Sequence, residues 1–352
     1  MNADSHIDWT SVDKVLLVRL RSIGDTVLST PTILTLRDQF PDAQIDMLLE
    51  DWVAPVLEGL DELDRIITVG KGSAERLRCA LELRREEYDI AFNLHGGTTA
   101  GFMVRASAAR YRVGYEGFQF PLLYNTLLPR PSTFWRKEIT HSAENQAAMV
   151  GLTGVELNEC PKTKLSVTEK RGAAAARRLT KLWDYYDKGE FAVIHPTAAT
   201  DTKQWAPAKF AEVIDHLDSR GLTAVLVVTG AELDVIADIE ESLGRRPYHL
   251  VDAPLPEIAA ICKAARLFVG NDSGIAHIAA AVQTPTAVIF GSSNVNQWRP
   301  WTDAPSSVIR EEFHCQPCPG DICREFGEPK CIQTVSPKSV ISAVDKLLLS
   351  SK

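Results

Sequence analysis

Phe268-Val-Gly-Asn-Asp-Ser-Gly-Ile-Ala-His277 packs a strand end, a tight turn and a helix start around groups suited to holding phosphate. Leu267 to Val269 reads as a short buried strand, Gly270 to Gly274 as the turn, and Ile275 to Val282 as an Ala-rich helix. The first N–H groups of such a helix lack internal partners, and with the helix dipole they make an anion site. Within the turn Asp272, Ser273 and Gly274 lie closest to that site; Ser273 can add a hydroxyl, and His277 sits one turn into the helix on the side of the anion. Thr284-Pro-Thr-Ala-Val-Ile-Phe-Gly291 follows as the next buried strand. Two neighbouring strand ends thus open onto one crevice, where open α/β sheets bind ligands.

Three further groups stand at comparable positions. The loop from His195-Pro-Thr197 to Lys203-Gln-Trp205 is rich in hydroxyls and ends in Lys203, a point charge suited to a departing phosphate. Trp205 reads as a packing anchor. Glu232, after the next strand, can accept hydrogen bonds from ribose hydroxyls, although an acid is expected in a first helical turn in any case. Asp25 follows the first strand and can take a proton from a hydroxyl nucleophile, or simply cap a helix. Arg19 and Arg21 alternate around the same strand end, either to hold an anionic acceptor or to pair with Asp25 or nearby Glu residues.

These groups need elements to hold them. Lys14 to Leu20 is an apolar run of strand length, followed by helical spacing over Asp25 to Phe40. Strands over Gln44–Leu49, Arg65–Val69 and Tyr88–Asn93 and helices over Ser73–Glu87 and Thr98–Ala109 continue the series. A second series starts at Phe191–His195. It runs through helix Pro207–Arg220, strand Thr223–Val228, helix Glu232–Leu243, strand Tyr248–Val251 and helix Pro256–Ala264. The alternation implies parallel sheets covered on both faces, and 352 residues suit two domains. The expected fold class is α/β: two Rossmann-like, doubly wound domains facing a central cleft. Residues 1–170 are expected to form one domain and 171–335 a second, with 336–352 as a helix packing back on the N-terminal domain. Leu157 to Lys188, with a helix over Glu169–Leu182, reads as the hinge.

Composition removes several classes. The chain is 45% hydrophobic and 24% charged, as soluble proteins are, and has no apolar run near the roughly 18 to 20 residues of a membrane span. Met1 to Asp8 lacks a secretion pattern, so a cytoplasmic protein is expected. A formal charge of -8 argues against broad nucleic-acid binding. After the first strand only one glycine stands where the dinucleotide fingerprint needs three, and the chain has no Asp-x-Asp to hold a metal for a nucleotide sugar. No cofactor is therefore expected, and diphosphate must be met by helix N-termini and cations. Four of the seven cysteines, Cys315, Cys318, Cys323 and Cys331, crowd together; they suit either a structural metal or reduced thiols packing an irregular tail. Phe118 to Tyr124 and Phe134 to Lys137 could meet a membrane surface or pack as buried loops.

Three stretches together resemble the bacterial ADP-heptose:lipopolysaccharide heptosyltransferases, glycosyltransferase family nine. They are Val15 to Pro31, His195-Pro to Lys203-Gln-Trp205, and Gly270-Asn-Asp-Ser-Gly-Ile-Ala-His277 with Thr284-Pro and Phe290-Gly291; Cys315-Gln-Pro-Cys318 is similar to the tail of many members. The resemblance implies a GT-B fold, with the acceptor bound by the first domain and the nucleotide sugar by the second, and metal-independent, inverting transfer of a heptose from an ADP-sugar. It implies Asp25 as general base, Lys203 and Asp272 to Gly274 with His277 on the diphosphate, and Glu232 near the ribose. It also implies a lipid-linked saccharide acceptor at the inner face of the inner membrane. Thr197 stands where many members have glycine after His-Pro, and Gly114 to Trp135 matches no acceptor pattern. An epimerase on the same architecture would change free sugar nucleotide without an acceptor, and a non-catalytic binder would show no turnover to lose.

Overall fold

A computed structural model of the chain describes residues 7–182, 191–318 and 321–350. The chain folds as two units, Met1–Lys164 and Leu165–Lys352, dividing a few residues before the boundary expected after residue 170.

The first unit is built on a parallel sheet of six strands: β1 (Lys14–Val18), β2 (Gln44–Glu50), β3 (Arg65–Val69), β4 (Ile90–Asn93), β5 (Tyr111–Tyr115) and β6 (Thr126–Leu128), in the order β3-β2-β1-β4-β5-β6. The order reverses at β1, which pairs in parallel with both β2 and β4. Val15, Leu16, Leu17 and Val18 are fully buried because the middle strand of a parallel sheet is covered on both faces. Helical spacing over Asp25 to Phe40 proves to be two helices, Ile23–Val27 and Thr30–Gln39. Pro31 lies in the first turn of the second, where its missing N–H is harmless, whereas within one continuous helix it would break the ladder.

The second unit repeats the plan with β7 (Phe191–His195), β8 (Thr223–Val228), β9 (Tyr248–Val251), β10 (Leu267–Asn271), β11 (Thr286–Ile289) and β12 (Ser306–Ile309), ordered β12-β11-β10-β7-β8-β9. Here the reversal falls at β7, between β10 and β8. The expected turn from Gly270 is corrected, because β10 runs on through Gly270 and Asn271 and Gly270 pairs with His195. A Cβ on Gly270 would lie 2.7 Å from the His195 carbonyl oxygen, so glycine is what lets these strands meet.

The helix Pro337–Ser350 was expected to pack on the N-terminal domain. Its apolar residues Val340, Val344 and Leu347 join the core of the second unit instead, against Phe210, Ile214, Ala287 and Ile309, so that expectation is corrected. The helix Glu169–Leu182 lies against the helix Leu255–Ala264, with Arg178 bonded to Glu257 at 2.9 Å; residues 183–188 of the expected hinge lie outside the described residues. No helix among the described residues is long and apolar enough to cross a membrane.

Candidate active site

In the second unit the chemistry gathers at the C-terminal ends of β7, β8 and β10. Lys203 closes a short helical turn after β7, and its Nζ donates to Asp272 Oδ2 at 2.9 Å. Ser293 Oγ donates to the same oxygen at 2.5 Å, so the loop after β11 also reaches the turn. Asn271 fixes the two strand ends to one another: its side-chain nitrogen donates to the Pro196 carbonyl at 2.8 Å and its oxygen accepts from the Trp205 backbone at 3.2 Å. Ser273 is the N-cap of the helix Gly274–Ala281, its hydroxyl accepting from the Ala276 N–H at 3.4 Å. That hydroxyl is thereby committed to an orphan donor of the helix rather than held open. His277 is buried within the same helix.

Thr197 and Glu232 also meet. Thr229 donates to Glu232 Oε2 from its backbone at 2.7 Å and from its hydroxyl at 2.8 Å. Burial pushes the Glu232 carboxyl up, but hydrogen bonds from Thr197 and Thr229 outweigh it and leave the group below its ordinary value. Beneath them His195 Nδ1 lies 2.8 Å from the Val227 carbonyl, and Nε2 lies 3.4 Å from the Thr197 hydroxyl. Burial holds this imidazole below its ordinary pKa, although the Val227 carbonyl and Glu232 pull the other way. Trp205, 1% exposed, donates to the Val335 carbonyl and is the packing anchor its type suggests.

In the first unit Asp25 lies in the first turn of the helix Ile23–Val27, with Ser22 Oγ donating to Oδ2 at 2.9 Å. Arg19 forms an ion pair with the other carboxylate oxygen. Arg19 itself is only 9% exposed and donates to the Leu94 carbonyl at 2.5 Å. Arg19 thus pairs with Asp25, and Arg21 is exposed. The sequence reading missed His95, which follows β4 and whose Nδ1 lies 3.1 Å from the Arg21 carbonyl. Burial first, then the Arg19 cation, hold this imidazole below its usual pKa. The signal was present in Asn93-Leu-His-Gly-Gly-Thr-Thr99, a glycine turn between a strand and a helix start. Asn93 shapes that turn by accepting from the backbones of His95 and Gly96 at 3.0 and 2.9 Å.

The chain is similar to known proteins in sequence and in fold. Residues 76–327 match the model of glycosyltransferase family 9 (heptosyltransferase). A lipopolysaccharide heptosyltransferase 3 of Escherichia coli is 32% identical, over 94% of this chain and 98% of that protein. A lipooligosaccharide heptosyltransferase 2 of Haemophilus influenzae is 23% identical, over 95% of this chain and 99% of its own. The chain belongs to glycosyltransferase family 9. As a family member it is a glycosyltransferase, and its two Rossmann-like units are those of the GT-B fold. The structure of an E. coli ADP-heptose lipopolysaccharide heptosyltransferase II superposes with a TM-score of 0.80, covering 96% of this chain and 99% of that one at 21% identity. An E. coli heptosyltransferase solved with ADP gives 0.72, covering 95% and 99% at 19% identity.

In this glycosyltransferase four cysteines lie in a tail that follows β12. Cys315, Cys318 and Cys323 are half-buried, Cys331 is buried, and all four are free thiols. Burial holds the Cys331 thiol above its ordinary pKa, with Cys315 and Cys323 adding to the effect. Among the described residues no group of three or more His, Cys, Asp or Glu is placed to hold a metal ion. The tail is tied to the loop after β11: the Cys318 backbone N–H donates to the Ser292 carbonyl at 2.9 Å, and the Gln316 side-chain amide donates to that of Gly291 at 2.6 Å.

Proposed function

We propose that this chain transfers a heptose from ADP-heptose to a hydroxyl of a lipopolysaccharide core saccharide, by direct displacement with inversion and without a metal. The observation that carries the reading is the Lys203–Asp272 pair at the start of a capped helix, with Glu232 held ionised one strand away. A cation, unpaired helix N–H groups and a ribose-facing carboxylate are the complement of a nucleoside diphosphate. Family membership and a 32% identical relative named as a lipopolysaccharide heptosyltransferase support the sugar and the acceptor class.

In the proposed reaction the acceptor hydroxyl attacks the anomeric carbon as its proton passes to Asp25. The C–O bond to the nucleotide breaks on the opposite face, which inverts the centre. Arg19 and Ser22 each occupy one direction on the Asp25 carboxylate, so further lone pairs remain to accept the proton. Lys203 and the first N–H groups of the helix Gly274–Ala281 take up the charge that grows on ADP. Cytoplasmic location, at the inner face of the inner membrane, follows from a lipid-linked acceptor.

A nucleotide series followed by thermal shift tests the donor. ADP and ADP-heptose raise the melting temperature with the logarithm of their concentration, and UDP and UDP-sugars do not. Equal stabilisation by both series overturns the donor assignment. Turnover of ADP-heptose with a core saccharide in the presence of EDTA tests the metal, and the anomeric configuration of the product tests inversion.

A further inference from the structure

The segment Thr98–Leu128 carries a surface that nothing described so far employs. Phe118, Leu123 and Tyr124 of this segment pack on the core of the first unit. Phe120 and Leu122 face solvent, 54% and 95% exposed, beside Phe102 at 56% on the helix Thr98–Ala106. The rings of Phe102 and Phe120 lie 6.3 Å apart, so they form one patch rather than scattered side chains. Phe120 is held there at a φ of 55°, in the left-handed region that costs energy for an aromatic residue.

The charge beside the patch is predominantly positive. Arg105 follows Phe102 by three residues, on the same helix face, and is exposed. Arg112 lies close enough to Arg105 for that cation to depress its pKa, after the larger effect of burial, and it donates to the Leu123 carbonyl at 3.4 Å. Between Thr98 and Leu128 the ionisable side chains that carry charge at neutral pH are Arg105, Arg110, Arg112 and a lone acid, Glu116, in a chain whose formal charge is -8. By contrast, the other aromatic segment is spent internally. Trp135 donates to the Glu144 carbonyl at 2.8 Å, and Phe134 packs so closely on Gly151 that a Cβ there would collide with its ring.

We propose that Phe102, Phe120 and Leu122, with Arg105 and Arg112, form a docking face for an anionic phospholipid bilayer. The apolar side chains enter the interface and the guanidinium groups meet lipid phosphates. A basic apolar face on an acidic protein selects a negatively charged surface over a second copy of the same chain. The inference rests on the proposed function only for its purpose, since vesicle binding is measured without turnover and without acceptor.

The test is co-flotation of the full chain with vesicles of phosphatidylethanolamine and phosphatidylglycerol, against phosphatidylcholine vesicles at the same salt. The chain should float with the anionic vesicles and stay behind with the zwitterionic ones. F120S together with L122S should lower partitioning about tenfold or more, and R105E by about fivefold or more. L122S alone, at the most exposed position, serves if the double variant folds poorly. The proposal is overturned if wild type and variants float alike, if lipid charge makes no difference, or if wild type does not float. It is equally overturned if the variants abolish a concentration-dependent dimer and leave flotation unchanged. A chain that floats as expected but shows no heptosyl transfer would separate failure of the proposed reaction from failure of the docking face.

Discussion

The two units end their central strands differently. In the second unit each charged group is answered by short polar contacts, Lys203 by Asp272 and Asp272 also by Ser293 from neighbouring loops, and Glu232 by Thr229 of its own loop. In the first unit Asp25 is held by the hydroxyl of Ser22, three residues before it, and by one buried arginine, Arg19, which also bonds to the Leu94 carbonyl. The difference suits two tasks. Under the proposed function, the second unit assembles a nucleotide site from its loops, whereas the first aims one carboxylate as the base.

Replacing each side in turn sharpens this contrast, and the greatest loss belongs to Asp25. D25N should lower kcat on the order of a thousandfold while ADP affinity measured by thermal shift stays within twofold; a parallel loss of ADP affinity would erase the division of labour. K203A should cost on the order of a hundredfold in kcat/KM and should weaken ADP binding as well, because the cation acts on both bound and departing diphosphate. An effect confined to kcat would make the second unit resemble the first. G270A tests the framework beneath Lys203. Its Cβ must displace the His195 carbonyl, so unfolding stability should fall by about 2 kcal/mol in a denaturant titration. S273A should cost about 1 kcal/mol through loss of the helix cap, with a modest loss of ADP affinity.

The smallest effect lies in acid. His195 is buried with its pKa below the ordinary value, so the unfolded chain binds that proton more readily than the folded one. The stability it contributes is present above the unfolded value of about 6.5 and is lost as pH falls below it. H195Q should therefore flatten the decline in melting temperature between about pH 7 and 5, and an unchanged slope would assign that decline elsewhere.

How much of this could be read beforehand depended on whether a residue's surroundings were local. Phe191–His195, Thr223–Val228 and Tyr248–Val251 are apolar runs bounded by polar turns, and the strands fall on those residues. Lys203, Glu232 and Asp272 were legible because each follows such a strand within one loop. The region Tyr111–Gly151 was not. β6 has three residues, and the helix Ser142–Gly151 is buried at every position but Asn145, so neither shows the alternation or the one-sided apolar stripe that marks an element. The partner of Arg19 was ambiguous for a different reason, since an arginine near a strand end reads alike whether it faces a ligand or a neighbouring carboxylate. His95 needed the fold, because only the pairing of β1 with β4 brings it beside Arg21.

The contact between Lys203 and Asp272 bears on selectivity. A cation already matched by a carboxylate offers little to a solitary chloride or orthophosphate, which would have to displace a partner tethered by the fold and braced by Ser293. A pyrophosphate can offer several oxygens at once and reach the helix start in the same step. If the proposed diphosphate site is right, ambient anions should compete poorly for it, and a competition series from chloride through phosphate to pyrophosphate should display the gradient.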